Sequence, residues 1–137
     1  MLRAGRGRKL VGMARPSRIV VGYDGSESSG RALERAAALT GYGTELTVVS
    51  VAPDPAGLEE SRRLLGQASD RLVLAHVFAR LDERVGDPAD ELIAAVKESD
   101  ADLLVVGNGK TALQRLLLGS VSTTLVHNAP CDVLVTR

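Results

Sequence analysis

Short apolar runs alternate along this chain with longer stretches in which apolar residues recur every three or four positions. Runs of aliphatic and β-branched residues are typical of buried strands, and the longer spacing is typical of a helix that packs one face on a core. The alternation predicts the order β-α-β-α-β-α-β-α-β. That order indicates an α/β fold in which helices flank a parallel sheet.

The predicted strands cover residues 18–22, 45–51, 78–85, 102–106 and 131–135. The third of these alternates only weakly, which favours a position at a sheet edge. A last helix follows Ser120, after helices over residues 27–39, 58–76 and 88–98. Ser26 and Ser120 are the predicted N-caps of the first and last helices, because a serine hydroxyl accepts a hydrogen bond from a first-turn N–H. Pro88 suits the first turn of the third helix.

Composition limits the size and the core of the protein. The chain has 137 residues, of which 45% are hydrophobic and only 2% are aromatic. This length is typical of one domain, and the core is expected to consist of Val, Leu, Ile and Ala. We therefore expect a single domain built on an open, five-stranded parallel sheet.

Charge is balanced overall but not along the chain. Lys plus Arg and Asp plus Glu number 17 each, so net charge gives no reason to expect nucleic-acid binding. The segment before Ser17 holds basic residues and no acidic ones, namely Arg3, Arg6, Arg8, Lys9 and Arg15. This pattern predicts a disordered basic leader over residues 1–16, followed by the domain over residues 17–137. A basic binding arm is the alternative interpretation, and Met13 is a second possible start.

Two absences in the sequence narrow the location and the chemistry. No apolar run approaches the roughly 20 residues of a membrane-spanning helix, and the leader lacks the apolar centre of a signal peptide. A cytoplasmic location without membrane attachment is therefore expected. Cys131 is the single cysteine, which excludes an intrachain disulfide and a zinc site with several cysteines.

The candidate chemistry lies after the fourth predicted strand. The apolar run ends at Gly107, Asn108 and Gly109, and Gly119 and Ser120 open the last helix. Glycine backbone and a helix N-terminus together offer exposed N–H groups to a phosphate. In an open parallel sheet, ligands bind beyond the carboxyl ends of the strands where the strand order reverses. If strands one and four are neighbours there, the glycine loop faces Asp24, whose carboxylate accepts hydrogen bonds from amino or hydroxyl groups.

The same loop has other interpretations besides a phosphate site. A Walker motif needs a glycine five positions before Gly109, where Leu104 stands, and the dinucleotide fingerprint needs one at Ala112. A tight turn is the simplest reading of Gly107 and Gly109 alone. The Gly119-Ser120 pair favours a phosphate site over that reading. Lys110 could neutralise phosphate charge or lie in solvent.

Five segments together resemble the universal stress protein family, and the resemblance spans nearly everything after residue 16. The segments are RIVVGYDGS (18–26), VGDPADELI (85–93), DLLVVG (102–107), LLLGSVS (116–122) and APCDVLV (129–135). Nucleotide-binding members of the family carry Gly-x-x-Gly, nine further residues and then Gly-Ser or Gly-Thr. Gly109, Gly119 and Ser120 match this pattern, but Gly107 and Gly109 enclose only Asn108, so the loop is one residue shorter.

The resemblance implies an adenine-nucleotide alpha hydrolase-like, Rossmann-like fold and an adenine-nucleotide site. Asp24 would contact the adenine or the ribose, and the main chain around Gly22 and Val51 would frame the base. The phosphates would lie on the glycine loop and the start of the last helix, with Ser122 adding a hydroxyl. The site residues implied are Gly22, Asp24, Val51, Gly107, Asn108, Gly109, Gly119, Ser120, Val121 and Ser122. The expected ligand is ATP, with ADP or AMP as alternatives, and Mg²⁺ only where the nucleotide brings it.

Two functions of different class follow from this reading. One is a small nucleotide-binding protein of stress response or signalling, whose ligand alters its contacts with partners. The other is a nucleotide-free homodimeric interaction module of the same fold. No catalytic residues are assigned, and the most activity expected is slow ATP hydrolysis. An adenylate-forming enzyme is not supported, because residues 22–26 do not supply the serine-rich and glycine-rich loop that such enzymes carry.

The end of the chain suggests self-association. The last predicted strand contains Val133, Leu134 and Val135. If it lies at an edge of the sheet, its apolar residues and free backbone groups invite pairing with a second copy. The family resemblance implies the same homodimer.

Overall fold

A computed structural model describes residues 15–109 and 119–137, which form one five-stranded sheet with all strand pairs parallel. The strand order is β3-β2-β1-β4-β5. The strands are β1 (Arg18–Gly22), β2 (Glu45–Ala52), β3 (Arg80–Val85), β4 (Leu103–Gly107) and β5 (Asp132–Thr136). The predicted α/β fold is confirmed.

Helices connect the strands within the described ranges. They are α1 (Glu27–Leu39), α2 (Leu58–Leu74), α3 (Pro88–Ser99) and α4 (Ser120–Asn128), and a 3-10 turn (Pro55–Gly57) leads into α2. Ser26 is the N-cap of α1 and Pro88 is the first residue of α3, as predicted. Among the described helices, none is long and apolar enough to span a membrane. Most of the predicted leader and the apolar stretch at residues 113–117 lie outside the described residues.

Two apolar layers cover the two faces of the sheet. Side chains of a strand alternate between faces, so Ile19 and Val21 of β1 pack on one side while Val20 packs on the other. The first layer contains Leu33 of α1 and Leu72 of α2; the second is formed with α3 and α4. This arrangement explains why the central strands are continuous apolar runs, since both of their faces are buried.

The strand order reverses between β1 and β4, which are direct neighbours, with Val21 opposite Val105. The carboxylate of Asp102 helps to align these strands at their starts, because it accepts hydrogen bonds from the backbone N–H groups of Ser17 (2.9 Å) and Arg18 (3.0 Å). Strands one and four are therefore neighbours, which is the condition on which the predicted site depended. β3 and β5 are the two edges of the sheet, and the edge position predicted for the third strand is confirmed.

Helix α2 and strand β3 differ from their predicted limits. The helix ends at Leu74 rather than at residue 76, because His76 adopts a left-handed backbone conformation with φ of 60°. The N–H of Val77 then closes the helix by donating to the carbonyl of Leu72 (2.9 Å). The chain needs this turn before it can pair with β2, so β3 begins at Arg80 instead of residue 78.

The start of α4 corrects the predicted N-cap. Gly119, not Ser120, is the cap: it has extended φ and ψ of −68° and 166°, and its carbonyl accepts from the N–H of Thr123 (2.9 Å). A Cβ at Gly119 would lie 2.8 Å from the carbonyl oxygen of Asn108. This close approach of two backbone segments favours glycine at the cap and moves Ser120 into the first turn.

Helix α3 is held to the sheet edge by an ion cluster. Arg84 of β3 donates to Asp82 (2.9 Å) and to Glu98 of α3 (2.6 and 3.2 Å), and it lies 3.5 Å from Glu91. The hydrogen bond from Arg84 lowers the pKa of the Glu98 carboxyl below its usual value. The cluster therefore ties α3 to β3 near both ends of the helix, through Glu91 in its first turn and Glu98 in its last.

Replacing Gly107 with alanine should destabilise the fold, because β4 ends against the first turn of α1. A Cβ at Gly107 would lie 2.4 Å from Ser28 Oγ, 2.6 Å from Ser28 C and 2.7 Å from Ser29 N. We expect Gly107→Ala to lower the free energy of unfolding by about 1–3 kcal/mol, as overpacking does elsewhere. Urea denaturation measures the change.

Gly66→Ala is the matched control for this substitution. Gly66 lies in α2, and a Cβ there meets nothing within 4 Å. Because alanine is the better helix former, this variant should gain about 0.5–1 kcal/mol. Equal changes in the two variants would contradict the proposed crowding at Gly107.

Candidate nucleotide site

A cleft of about 440 Å³ opens at the carboxyl ends of the central strands, where the strand order reverses. Its volume lies within the range of roughly 300–1,000 Å³ that is common for small-molecule sites. All ten predicted site residues line it: Gly22, Asp24, Val51, Gly107, Asn108, Gly109, Gly119, Ser120, Val121 and Ser122. The structure thus brings together residues from four separate parts of the chain.

A tight turn after β1 forms one side of the cleft. The Oδ1 atom of Asp24 accepts from the N–H of Ser26 (3.0 Å), and Gly25 permits the turn with φ of +82°. Ser26 Oγ in turn accepts from the N–H of Ser29 (3.2 Å), which caps α1. The Asp24 side chain is exposed. The turn therefore holds a carboxylate at the mouth of the cleft and joins it rigidly to the start of α1.

An apolar wall occupies the part of the cleft that lies next to this turn. It consists of Val49 and Val51 of β2, Pro53, Pro88, and Leu92 of α3. Gly22 leaves room here, since a Cβ at this position would lie 3.3 Å from atoms of Leu92 and Val106. An apolar wall beside a hydrogen-bonding carboxylate suits a planar heterocycle with polar edges.

The glycine loop forms another side of the cleft, against the start of α1, and three protein donors bond to its carbonyls. The carbonyl of Gly107 accepts from Ser122 Oγ (2.9 Å), and the carbonyl of Asn108 accepts from the N–H of Gly119 (3.2 Å). The carbonyl of Gly109 accepts from Ser28 Oγ (2.8 Å), and the N–H of Gly109 donates to the same hydroxyl (3.3 Å). The loop is thereby attached to the first turns of both α1 and α4.

The first turn of α4 points its N–H groups at the cleft. Ser120, which is exposed, and Val121 line the cleft at the helix start. First-turn N–H groups have no acceptor within their own helix, and the dipole makes this end positive. Among the described lining residues there is no Lys or Arg, and Asp24 is the acidic one. Backbone and hydroxyl donors are therefore what this part of the chain offers to an anion.

A profile of the universal stress protein family matches residues 16–137. The chain belongs to this family. Its geometry agrees with the resemblance seen in the sequence, including the parallel sheet and the cleft at the switch point.

Two curated universal stress proteins illustrate the similarity in sequence. Universal stress protein Rv1636 of Mycobacterium tuberculosis is 36% identical over 137 aligned positions, which cover 85% of this chain and 93% of that protein. A universal stress protein of Methanothermobacter thermautotrophicus is 48% identical over 62 residues, and this match covers 45% of the chain and 42% of the relative.

Two solved structures illustrate the similarity in fold. A universal stress protein crystallised in complex with cAMP is 35% identical and has a TM-score of 0.73, with 90% of this chain and 98% of that chain covered. A family member from Arabidopsis thaliana with AMP bound is 22% identical and has a TM-score of 0.67, with coverages of 88% and 90%. At that lower identity, the second comparison supports the fold alone.

Asn108 and Ser122 of this universal stress protein are more buried than residues that contact a phosphate directly would need to be. Asn108 and Ser122 are each only 2% exposed, although both line the cleft. The Ser122 hydroxyl donates to the carbonyl of Gly107. In the structure, Ser122 therefore holds the glycine loop to α4, whereas Ser120 lies open to the cleft.

Ser28 is a residue of the site that sequence reasoning missed, as are four residues of the apolar wall, Val49, Pro53, Pro88 and Leu92. Ser28 is 1% exposed and bonds both backbone groups of Gly109, and its own carbonyl accepts from Thr136 Oγ1 of β5 (2.9 Å). The one available signal for Ser28 was the cluster of serines at positions 26, 28 and 29. A single N-cap explains only the first of them.

Replacing Ser122 with alanine should loosen the junction between the glycine loop and α4. The change removes the donor to the Gly107 carbonyl at a buried position, so we expect the free energy of unfolding to fall by about 1–2 kcal/mol. Thr124→Ala is the control, because Thr124 Oγ1 also donates to a carbonyl of the same helix, that of Ser120 (3.0 Å), but at an exposed bond. Chemical denaturation should detect little loss in the control; a loss as large as that in Ser122→Ala would refute the assignment.

Proposed function

We propose that this universal stress protein binds an adenine nucleotide in the cleft between β1 and β4. One observation carries the proposal: an apolar wall, the Asp24 carboxylate and the N-terminus of α4 converge on a single cleft at the switch point. The apolar wall suits a base, the carboxylate accepts hydrogen bonds from ribose hydroxyls, and the helix N-terminus binds a phosphate. The cAMP complex of the 35% identical family member supports the same ligand class.

Each part of the nucleotide has a proposed position. The base lies on the apolar wall near Gly22 and Val51, and Asp24 accepts hydrogen bonds from the ribose hydroxyls or the base amino group. The phosphate lies at the first turn of α4, where Ser120 and Val121 supply donors. The surface below the phosphate is formed by the glycine loop and the start of α4, that is, by Gly107, Asn108, Gly109, Gly119 and Ser122.

The proposed ligand class includes ATP, ADP, AMP and cAMP, with Mg²⁺ entering only as a companion of the nucleotide. Binding would change the surface around the cleft, and a change of surface is how the protein would signal to partners in a cytoplasmic stress response. No catalytic residue is assigned, and slow ATP hydrolysis is the most activity that we propose.

A nucleotide-free interaction module of the same fold is the second candidate function. It is favoured by the glycine loop, where the N–H of Gly109 already donates to Ser28 Oγ within the protein (3.3 Å). Direct detection of bound nucleotide separates the two candidates.

The nucleotide proposal predicts that ligand accompanies the purified protein or binds to it in solution. Denaturing extraction followed by mass spectrometry should release an adenine nucleotide, and isothermal titration should give saturable heat with at least one of the four. The absence of both signals would overturn the proposal and favour the interaction module.

Asp24→Asn is a more specific test of the nucleotide proposal. The amide oxygen can still accept the hydrogen bond from the N–H of Ser26 that forms the turn, while the negative charge is removed. Loss of a hydrogen bond to a charged group should weaken binding by roughly tenfold or more. Asp54→Asn is a matched control: Asp54 Oδ1 accepts from the N–H of Ala56 (3.0 Å) in a similar turn, but Asp54 does not line the cleft. Equal weakening in both variants would count against contact between Asp24 and the ligand.

A homodimer through β5 is a further part of the proposed function. β5 is a sheet edge, Val133 is buried within its own subunit, and Leu134 and Val135 are partly buried. Light scattering over a concentration series should therefore give the dimer mass. Leu134→Asp should shift the mass to the monomer, while Leu81→Asp on the opposite edge, where Leu81 is 46% exposed, should not. A wild-type monomer throughout would eliminate this interface.

A further inference from the structure

The Ser28 hydroxyl controls the backbone of the glycine loop. It donates to the carbonyl of Gly109 at 2.8 Å and accepts from the N–H of the same residue at 3.3 Å. Ser28 lies in the first turn of α1 and is 1% exposed, so its hydroxyl sits inside the protein beside the cleft. One side chain thus occupies both hydrogen-bonding groups of the residue that closes the loop.

The direction of the Gly109 N–H follows from the peptide before it. In a trans peptide the carbonyl of one residue and the N–H of the next point in opposite directions, and the described peptides contain no cis bond. The Asn108 carbonyl accepts from the N–H of Gly119 at the start of α4. The Gly109 N–H is therefore directed away from α4 and towards Ser28, where it is bonded.

Among the described residues, the groups on the α4 side of the cleft that can hold an anion are concentrated at one point. They are the first-turn N–H groups of α4 and the hydroxyl of Ser120, which lines the cleft and is exposed. These donors can surround one phosphate. A second and a third phosphate would have to lie along the glycine loop, where the Gly109 N–H already has an acceptor.

The charge of the cleft also favours a ligand with a single phosphate. Each additional phosphate brings more negative charge into the cleft, and the described lining residues include no Lys or Arg to balance it. Lys110 lies outside the described residues. Asp24 adds a negative charge at the mouth of the same cleft. A nucleotide with a single phosphate meets less repulsion there than a triphosphate does.

We propose that Ser28 limits this site to adenine nucleotides with one phosphate, linear or cyclic, by holding Gly109 out of a phosphate-binding arrangement. The inference rests on the proposed adenine-nucleotide site and specifies its ligand. Ser28 is a positioning residue: it acts through the loop and touches no phosphate itself. It bears on selectivity because its two bonds to Gly109, together with the bond from the Gly119 N–H to the Asn108 carbonyl, keep the Gly109 N–H away from a second phosphate.

Isothermal titration of the full chain with AMP, cAMP, ADP and ATP tests the selectivity, with Mg²⁺ present so that ATP is not disfavoured by its charge alone. The better of the two monophosphates should bind at least about tenfold more tightly than ATP, which corresponds to the loss of one or two net hydrogen bonds. Binding of ATP as tight as that of AMP and cAMP overturns the inference but leaves the proposed function intact. Binding of none of the four overturns the proposed function itself.

Ser28→Ala tests whether this residue is responsible. The substitution removes both bonds to Gly109 and leaves only the bond between the Gly119 N–H and the Asn108 carbonyl to hold this peptide. The Gly109 N–H can then turn towards the cleft, so the ratio of ATP to AMP affinity should rise by about fivefold relative to wild type. Thr136→Val is the matched control: it removes a buried hydroxyl that donates to the Ser28 carbonyl, but it leaves the bonds between Ser28 Oγ and Gly109 in place. Its affinity ratio should equal that of the wild type.

The ratio of affinities separates selectivity from damage to the fold. A general loosening of the site would lower the affinities of AMP and ATP together, and it would appear in Thr136→Val as well. Circular dichroism establishes that both variants are folded before titration. A wild-type ratio in Ser28→Ala, or an equal shift in the control, overturns the role of Ser28.

Discussion

The contact between the end of β4 and the first turn of α1 is the constraint on which the cleft depends. Gly107 lies so close to the backbone of Ser28 and Ser29 that even a single added carbon atom would overlap it. Because both partners are backbone, no change of rotamer can relieve the crowding. The contact fixes how closely the start of α1 approaches the end of β4, and the position of α1 beside the cleft follows from that approach.

Hydrogen bonds then join the elements on the two sides of the cleft to this contact. Ser28 bonds the loop to α1, Ser122 bonds it to α4, and Thr136 ties the same turn of α1 to the last strand. Helices from opposite faces of the sheet are thus joined through three loop residues. A site built on such helix starts is pre-organised, since its donors do not have to be ordered when a ligand arrives.

Local patterns in the sequence were sufficient for the existence and order of the strands along the chain and for the Ser26 cap, because apolar runs and turn residues encode these features within a few positions. The pairing of β1 with β4 joins distant segments, so it could only be assumed from the sequence. The Ser28–Gly109 bonds join residues that are 81 apart in sequence, so no local pattern could predict them. The Gly119 cap was missed for a similar reason: a serine is the better cap in isolation, but the nearby Asn108 carbonyl leaves room only for glycine.

The short loop and the serine that holds it form one structural unit. With Asn108 alone between the two glycines, three consecutive carbonyls reach donors in α4, α4 again and α1. Gly109, the last residue of this short loop, is bonded to Ser28 through both of its backbone groups. The same pair of hydrogen bonds therefore attaches the loop to α1 and occupies an N–H that a second phosphate would need.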